Sequence, residues 1–258
     1  MDTVIPLARR DIIASRIAQG QSAVAKDLAD EFGVSEDAIR RDLRALAAEG
    51  LCRRVYGGAL PMLPSTAPMS ARIDEARQRK EALALAAATT IQRGEFIFLD
   101  SGSTNLALAR KLPEDFDLTI ATNSVDIACA VANRPDLRLV LVGGHVDPLV
   151  GGSVDADAIQ FVSRMNIDRC FVGACAVSPD GGLSAFHSTD ASFKRALVAA
   201  SRENLVLVTT DKLDGRAPYR VARVEQIGCY VVEAAAGAAE LRKLAKAGAT
   251  LLKAARPA

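Results

Sequence analysis

Apolar positions near the start of the chain repeat at helical spacing three times and then switch to alternation. Ile12, Ile13, Ile17 and Ala18 make the first stripe, ended by Gly20. The second runs from about Ser22, an N-cap residue type, through Val24, Ala25, Leu28, Ala29 and Phe32. It stops at Gly33, because glycine takes the left-handed conformation of a sharp turn at little cost. A third helix follows almost at once. Ser35 caps it, Glu36 and Asp37 sit against its positive end, Ile39, Leu43 and Leu46 form its buried stripe, and Gly50 closes it. Leu51 to Tyr56 then alternates into Gly57-Gly58, the pattern of a short strand entering a hairpin. Residues 1–58 are therefore expected to form a small domain of three helices and a hairpin.

Pro61, Pro64 and Pro68, with Ser65, Thr66 and Ser70, mark residues 59–72 as a linker. From Ile73 to about Thr90 the pattern predicts a long alanine-rich helix. Beyond it, apolar strand-like runs begin at Phe96, Leu118, Leu137, Arg169, Leu205 and Cys229, and they alternate with helical stretches. That alternation predicts an α/β domain over 73–258, built on a mostly parallel sheet covered by helices. After Glu233 the pattern gives only an alanine-rich tail.

Composition narrows the choice of partners. With 258 residues, two domains are expected, and a net charge of +1 excludes coating of nucleic acid or membrane by bulk electrostatics. Any DNA contact must come from a local cluster. No apolar run approaches the roughly eighteen residues of a membrane span, and the opening Met1-Asp2-Thr3-Val4 lacks a signal-peptide pattern, so the cytoplasm is the expected location. Five scattered cysteines without a Cys-x-x-Cys read as reduced, packed thiols, and with two histidines no metal site or cofactor is expected.

On the third helix, Asp37, Arg41 and Arg44 point away from the Ile39-Leu43-Leu46 stripe, with Arg40 on the flank. Two short helices joined by a glycine turn, the second presenting arginines outward, form a helix-turn-helix whose second helix suits the major groove. Arginine can grip guanine bidentately or clamp a phosphate. Arg53 and Arg54, on the following strand, would reach the duplex backbone if the hairpin is a wing. The plain alternative is a solvated basic face; the ordered context of turn, arginine helix, basic strand and Gly-Gly favours DNA. Ser35, Asp37, Arg40, Arg41, Arg44, Arg53 and Arg54 are the candidate DNA-binding residues.

In the larger domain, Phe96 to Leu99 runs into Asp100-Ser101-Gly102-Ser103-Thr104, a small hydroxyl-rich turn that can bind phosphate without a lysine. Thr122-Asn123-Ser124, Gly143-Gly144 and Gly173 follow other apolar strands. Ligands of open α/β sheets bind beyond the carboxyl ends of strands, so these turns can converge on one crevice. Each taken alone is equally an ordinary turn.

Two groups of motifs resemble the DeoR-type family of bacterial transcriptional regulators. The first is Val34-Ser35-Glu36-Asp37-Ala38-Ile39-Arg40-Arg41-Asp42-Leu43 with Glu49-Gly50-Leu51, Arg54 and Gly57-Gly58-Ala59, although Ala38 stands where the family usually has threonine. The second is Asp100 to Thr104, Thr122-Asn123-Ser124, Gly143-Gly144, Phe171-Val172-Gly173 and Lys194-Arg195. The resemblance implies a winged helix-turn-helix, a sensor domain similar to sugar-phosphate isomerases and a phosphorylated sugar or related effector. It also implies that Ser101, Gly102, Ser103 and Thr104 hold the phosphate, Asn123 a ligand hydroxyl and Lys194 an anionic or hydroxyl group. Asp100, Gly143, Gly144 and Lys212, the last in Thr209-Thr210-Asp211-Lys212 where the family often has Asp-x-Ser-Lys, complete the candidate effector set.

The sequence thus reads as an operator-binding regulator, a repressor of a carbohydrate or related operon, working as a homo-oligomer. The rival is a sugar-phosphate isomerase with a DNA-binding appendage, and Asp100 and Asp168 are carboxylates available as its base. A third reading makes the second domain a ligand-free oligomerisation unit.

Overall fold

The computed structural model describes residues 6–18, 23–49, 51–55, 57–61 and 68–256. The expected signals at Gly20, Ser22, Gly50 and Tyr56 lie outside the described residues, as do positions 62–67 of the expected linker. The chain divides into two compact units, residues 1–67 and 68–258.

In the first unit, α1 (Pro6–Ala18) is followed by β1 (Ala23–Val24), α2 (Ala25–Phe32), α3 (Glu36–Ala48), β2 (Cys52–Val55) and β3 (Gly58–Pro61). The three strands form an antiparallel sheet in the order β1-β3-β2. The second helix begins at Ala25, not near Ser22, because Ala23 and Val24 pair with Ala59 and Gly58. Gly58 is required there: a Cβ on it would lie 2.1 Å from the Ala23 carbonyl oxygen. Gly33 does adopt the left-handed conformation, at φ 61°. Ile13, Ile17, Leu28, Ile39, Leu43, Leu46 and Cys52 close the core of this unit, the helical stripes meeting because each is apolar on one side only. Gly58–Pro61 and Met69–Arg72 are regular elements, so secondary structure enters the expected linker from both ends.

The second unit opens with the short α4 (Met69–Arg72) and α5 (Arg77–Ala88). The expected helix from Ile73 starts four residues late, since Ala76 takes φ 51°. Then come β4 (Phe96–Leu99), α6 (Ser103–Ala109), β5 (Leu118–Thr122), α7 (Val125–Val131) and β6 (Leu137–Leu141). An arm of β7 (Val146–Asp147) and β8 (Gly152–Ser153) leads to α8 (Ala156–Val162) and β9 (Ile167–Val172). After β10 (Ala176–Ser178) and β11 (Gly182–Ala185) follow α9 (Ser188–Ala200), β12 (Ser201–Val208), β13 (Tyr219–Ala222), β14 (Cys229–Val232), α10 (Ala238–Lys246) and β15 (Leu251–Lys253).

Seven strands make one fully parallel sheet in the order β15-β14-β12-β9-β4-β5-β6. Successive strand residues face opposite sides. Phe98, Cys170, Val206 and Tyr230 enter one core with α8, α9 and α10, while Ile97, Leu99, Phe171 and Val231 enter the other with α5, α6 and α7. The chain runs from β4 outward through β5 to β6, then returns to β9 on the other side of β4. The reversal puts a topological switch point between β4 and β9, the place at which open α/β sheets bind ligands. Antiparallel β10-β11-β13 forms a separate small sheet.

Candidate functional site

On α3 the basic face is organised by the helix itself. Ser35 caps the helix, its Oγ accepting from the Ala38 amide at 3.3 Å, so that oxygen already has a partner. Arg40 leans back on Glu36 at 2.7 Å and on the exposed Asp37 at 3.7 Å. Such exposed pairs contribute little and can open for a phosphate. The Arg44 Nε donates to the Arg40 carbonyl at 3.3 Å. Among the described residues no acidic group pairs with Arg41 or Arg54, both exposed. The Arg53 side chain lies outside the described part. Sequence reasoning missed Arg9, whose buried guanidinium grips Asp42 at 2.6 Å and ties α1 to the buried side of α3.

In the second unit several of the residues named from sequence, Asp100, Ser101, Asn123 and Lys194, come together beside the ends of β4 and β9. Asp100 follows β4, and its Oδ2 accepts from the Gly173 amide, beyond β9, at 2.8 Å. Lys194, reaching in from α9, lies 3.1 Å from the same carboxylate and also bonds Asp190. All three side chains are buried. Burial raises the Asp100 pKa, the Lys194 charge opposes that rise, and Asp190 adds to it. Lys194 is pushed down by burial, but Asp100 and Asp190 outweigh this and hold it above the ordinary lysine value. Lys194 therefore already has two counterions and belongs to an internal ion triad.

Asn123 is likewise committed. Its Oδ1 accepts from the Ser101 amide at 3.0 Å and its Nδ2 donates to the Ser153 carbonyl at 3.1 Å. It braces the turn against the residues beyond β8. Gly143 and Gly144 are exposed, and Gly144 abuts the Asp155 carboxylate, which caps α8. Gly152 and Gly173 both meet the turn: a Cβ on Gly152 would lie 2.8 Å from Ser101 Cβ, and one on Gly173 2.8 Å from the Ser101 carbonyl oxygen. Asp100 Oδ1, Ser101 Oγ and Thr104 Oγ1 are buried without a hydrogen-bond partner. Ser103, also buried, opens α6. His145 and His187 are exposed.

A cationic group missed from the sequence borders this turn. Lys80, on α5, is buried, and its Nζ donates to the Arg72 carbonyl at 2.5 Å. Burial, then the positive charge of Lys212, lower its pKa to about 8; Arg72 adds to this, with Glu75 and Asp211 opposing. Burial also lowers Lys212 and Arg72. Asp190 acts on both Arg72 and Asp100, and Lys194 on Lys212, so these cations and the hydroxyl turn share one region. Among the described residues no carboxylate lies within ion-pair distance of Lys80 or Lys212. Lys80 falls on the inner stripe of α5 with Leu83, Ala84 and Ala87, at i, i+3, i+4 and i+7, a spacing legible in the sequence. No group of residues suited to a metal ion occurs among the described residues, and no described helix is long and apolar enough to cross a membrane.

A winged helix-turn-helix with a basic recognition helix, joined to a parallel α/β domain with a topological switch point, defines a DNA-binding transcriptional regulator of two domains. The DeoR-like helix-turn-helix domain matches residues 9–62 and the DeoR C-terminal sensor domain matches residues 75–234. The chain belongs to the DeoR family. It is 29% identical to the glycerol-3-phosphate regulon repressor of Escherichia coli, covering 88% of this chain and 90% of that one. It is 31% identical to the transcriptional repressor AccR of Agrobacterium fabrum, over 80% and 81% of the two chains. The HTH-type transcriptional regulator GlpR of Haloferax volcanii is 28% identical over 96% of this chain and 98% of its own length. These relatives are named as regulators, and this chain is a regulator rather than an enzyme.

Among solved structures, ribose 5-phosphate isomerase from Methanocaldococcus jannaschii is 19% identical with a TM-score of 0.38 over 52% of each chain. The probable sor operon regulator from Shigella flexneri is 13% identical, with a TM-score of 0.45 over 69% of this chain and 92% of that one. Likenesses of this size assign no activity.

Proposed function

We propose that this chain is an operator-binding repressor of a carbohydrate or related metabolic operon, and that a phosphorylated small molecule, bound in the sensor domain and not converted, releases it from DNA. The observation that carries the effector reading is the group of partnerless buried oxygens on Asp100, Ser101 and Thr104, together with Lys80 and Lys212, for which no carboxylate lies within ion-pair distance among the described residues. Buried polar groups without partners are costly and rare in native proteins. A polyol phosphate offers hydroxyl groups to the oxygens and a dianion to Lys80, Lys212 and Arg72. The Escherichia coli relative is named for a glycerol-3-phosphate regulon, which puts glycerol 3-phosphate first in a panel of phosphorylated sugars and polyols. To signal, the ligand must bind the DNA-competent and DNA-incompetent arrangements unequally.

Ser103→Glu tests the site, because a carboxylate at this buried position occupies and repels the phosphate. Calorimetric titration should show at least tenfold weaker ligand binding, while operator binding without ligand persists. Unchanged ligand affinity would remove the Ser101–Thr104 turn from the site, and turnover of the bound ligand by the unaltered protein would favour an enzyme.

On the DNA side, Arg41 and Arg44 read bases or adjacent phosphates, and Arg54 holds the backbone. Arg41→Ala should cost about 1–3 kcal/mol in operator affinity with the fold unchanged. Arg54→Ala should weaken specific and random DNA alike and reduce the salt slope by about one. Gel-shift titration at several salt concentrations separates the two. A single recognition helix covers too few base pairs for ordinary specific affinity, so the working unit is a homo-oligomer. A monomeric mass by light scattering, at concentrations where the operator is bound tightly, would contradict it.

A further inference from the structure

Two of the cations assigned to the ligand sit next to residues that are bound to each other. Arg79 precedes Lys80 on α5, and Asp211 precedes Lys212 in the 3-10 turn Thr210–Lys212 that follows β12. Glu233, just beyond β14, joins the two segments. The Arg79 Nε donates to Glu233 Oε1 at 2.7 Å and Nη2 donates to Oε2 at 3.0 Å. The same Oε2 accepts from the Thr210 amide at 3.1 Å and from the Thr210 hydroxyl. Arg79 Nη2 also reaches Asp211 Oδ1 at 3.0 Å. Glu233 is buried. Burial raises its pKa, but the bonds from Arg79 and Thr210 outweigh that and hold the carboxyl below the ordinary value.

We propose that Glu233, together with Arg79, is a positioning residue for effector recognition: this clasp fixes Lys80 and Lys212 in one cleft as a preformed seat for a phosphate dianion. The proposal rests on the reading of those two lysines as ligand contacts. Like charges in a partly buried cleft repel, and neither lysine has a paired carboxylate to relieve the repulsion. Without the clasp, the turn carrying Lys212 can relax away from Lys80, and bringing it back would draw on the binding energy of the ligand. Preorganisation strengthens binding by removing that cost beforehand. Arg79 itself is not an anion receptor in this arrangement, because its guanidinium is already divided between Glu233 and Asp211.

The test uses the full chain with inorganic phosphate as the probe, titrated calorimetrically across pH. Glu233→Gln keeps the side-chain shape and removes the charge that holds Arg79. Phosphate binding should weaken at least tenfold. The charged groups acting on Lys80 are Lys212, Glu75, Arg72 and Asp211. In the unaltered protein, affinity should fall as pH rises through about 8, where Lys80 loses its proton. In Glu233→Gln that midpoint should move upward, because Lys212 no longer stands close to Lys80; a merely structural role for Glu233 would leave it in place. Lys80→Gln and Lys212→Gln are the companion variants. If both lose phosphate affinity while Glu233→Gln keeps the original affinity and midpoint, the positioning role alone is overturned. If neither lysine variant loses affinity, or the unaltered protein binds no phosphate, the reading of the lysines falls and the clasp role with it. Should Glu233→Gln fail to fold, Arg79→Gln, which leaves Glu233 bonded to Thr210, gives the same contrast.

Discussion

Replacing Lys194 with methionine should destabilise the C-terminal domain by about 3–5 kcal/mol, the usual cost of breaking a buried ion pair by removing one partner. Methionine approximates the length and volume of lysine, so little of the effect comes from packing. What remains is Asp100 and Asp190, both buried, with no cation between them. In the native protein Lys194 is held above its ordinary pKa by the two carboxylates. A raised lysine contributes stability that is complete below its unfolded value of about 10.4 and is lost only as pH rises through the folded value. Its contribution is therefore constant across the neutral range.

The variant should behave differently with pH. Without Lys194, burial holds the Asp100 pKa in the folded domain above the unfolded value of about 3.9. The folded state then binds more protons than the unfolded state, so stability falls as pH rises above that unfolded value. The deficit against the native protein should be smaller at pH 5 than at pH 8. Urea unfolding at both pH values measures it. An unchanged midpoint at pH 8 would show that the triad carries no net ionic stabilisation, and would favour Lys194 as a ligand contact.

The second large effect is expected in the DNA-reading unit from a residue that faces away from the arginines. Asp42→Ala leaves the Arg9 guanidinium, whose side chain is 7% exposed, without its carboxylate. The cost should be roughly 3 kcal/mol, a large share of the roughly 5 kcal/mol at the low end of domain stabilities, where so small a unit falls. Operator binding should then disappear through loss of the fold, whereas Arg41→Ala should weaken it with the fold intact. Thermal unfolding followed through proteolysis of the first unit distinguishes these. Replacing Arg9 and Asp42 together with apolar residues should recover much of the loss, because the isolated buried charge is then gone. A single Asp42→Ala variant with undiminished melting temperature would mean that the ion pair is solvent-shared and of little weight.

The local patterns carried much of this regulator. Ile39, Leu43 and Leu46 mark the inner side of α3, which leaves Arg41 on the outside whatever the helix packs against. Runs such as Phe96 to Leu99 and Leu205 to Val208 are apolar at every position because the strands of a parallel sheet are covered on both faces. The turn at Asp100 to Thr104 gains meaning only beside Thr122-Asn123-Ser124 and Gly173, which follow other apolar strands of the sheet.

Other features have no local signature. β1 is two residues long and exists only because β3 lies beside it, and β15, three residues in the alanine-rich tail, depends on β14 in the same way. That Lys194 lies against Asp100, and that Asn123 bonds Ser101 and Ser153, is visible only in the fold. Lys80, on the inner stripe of α5, meets the charge of Lys212 only because the fold brings the far end of β12 toward it, and Glu233 joins Arg79 across more than 150 residues of chain. The sequence alone determined the three helices of the first unit and the main strands of the parallel sheet, since those follow from neighbours a few residues apart. Only the tertiary structure decided which charges are already neutralised and which remain for a ligand, because a charge in a protein is defined by whatever the fold places within a few ångströms of it.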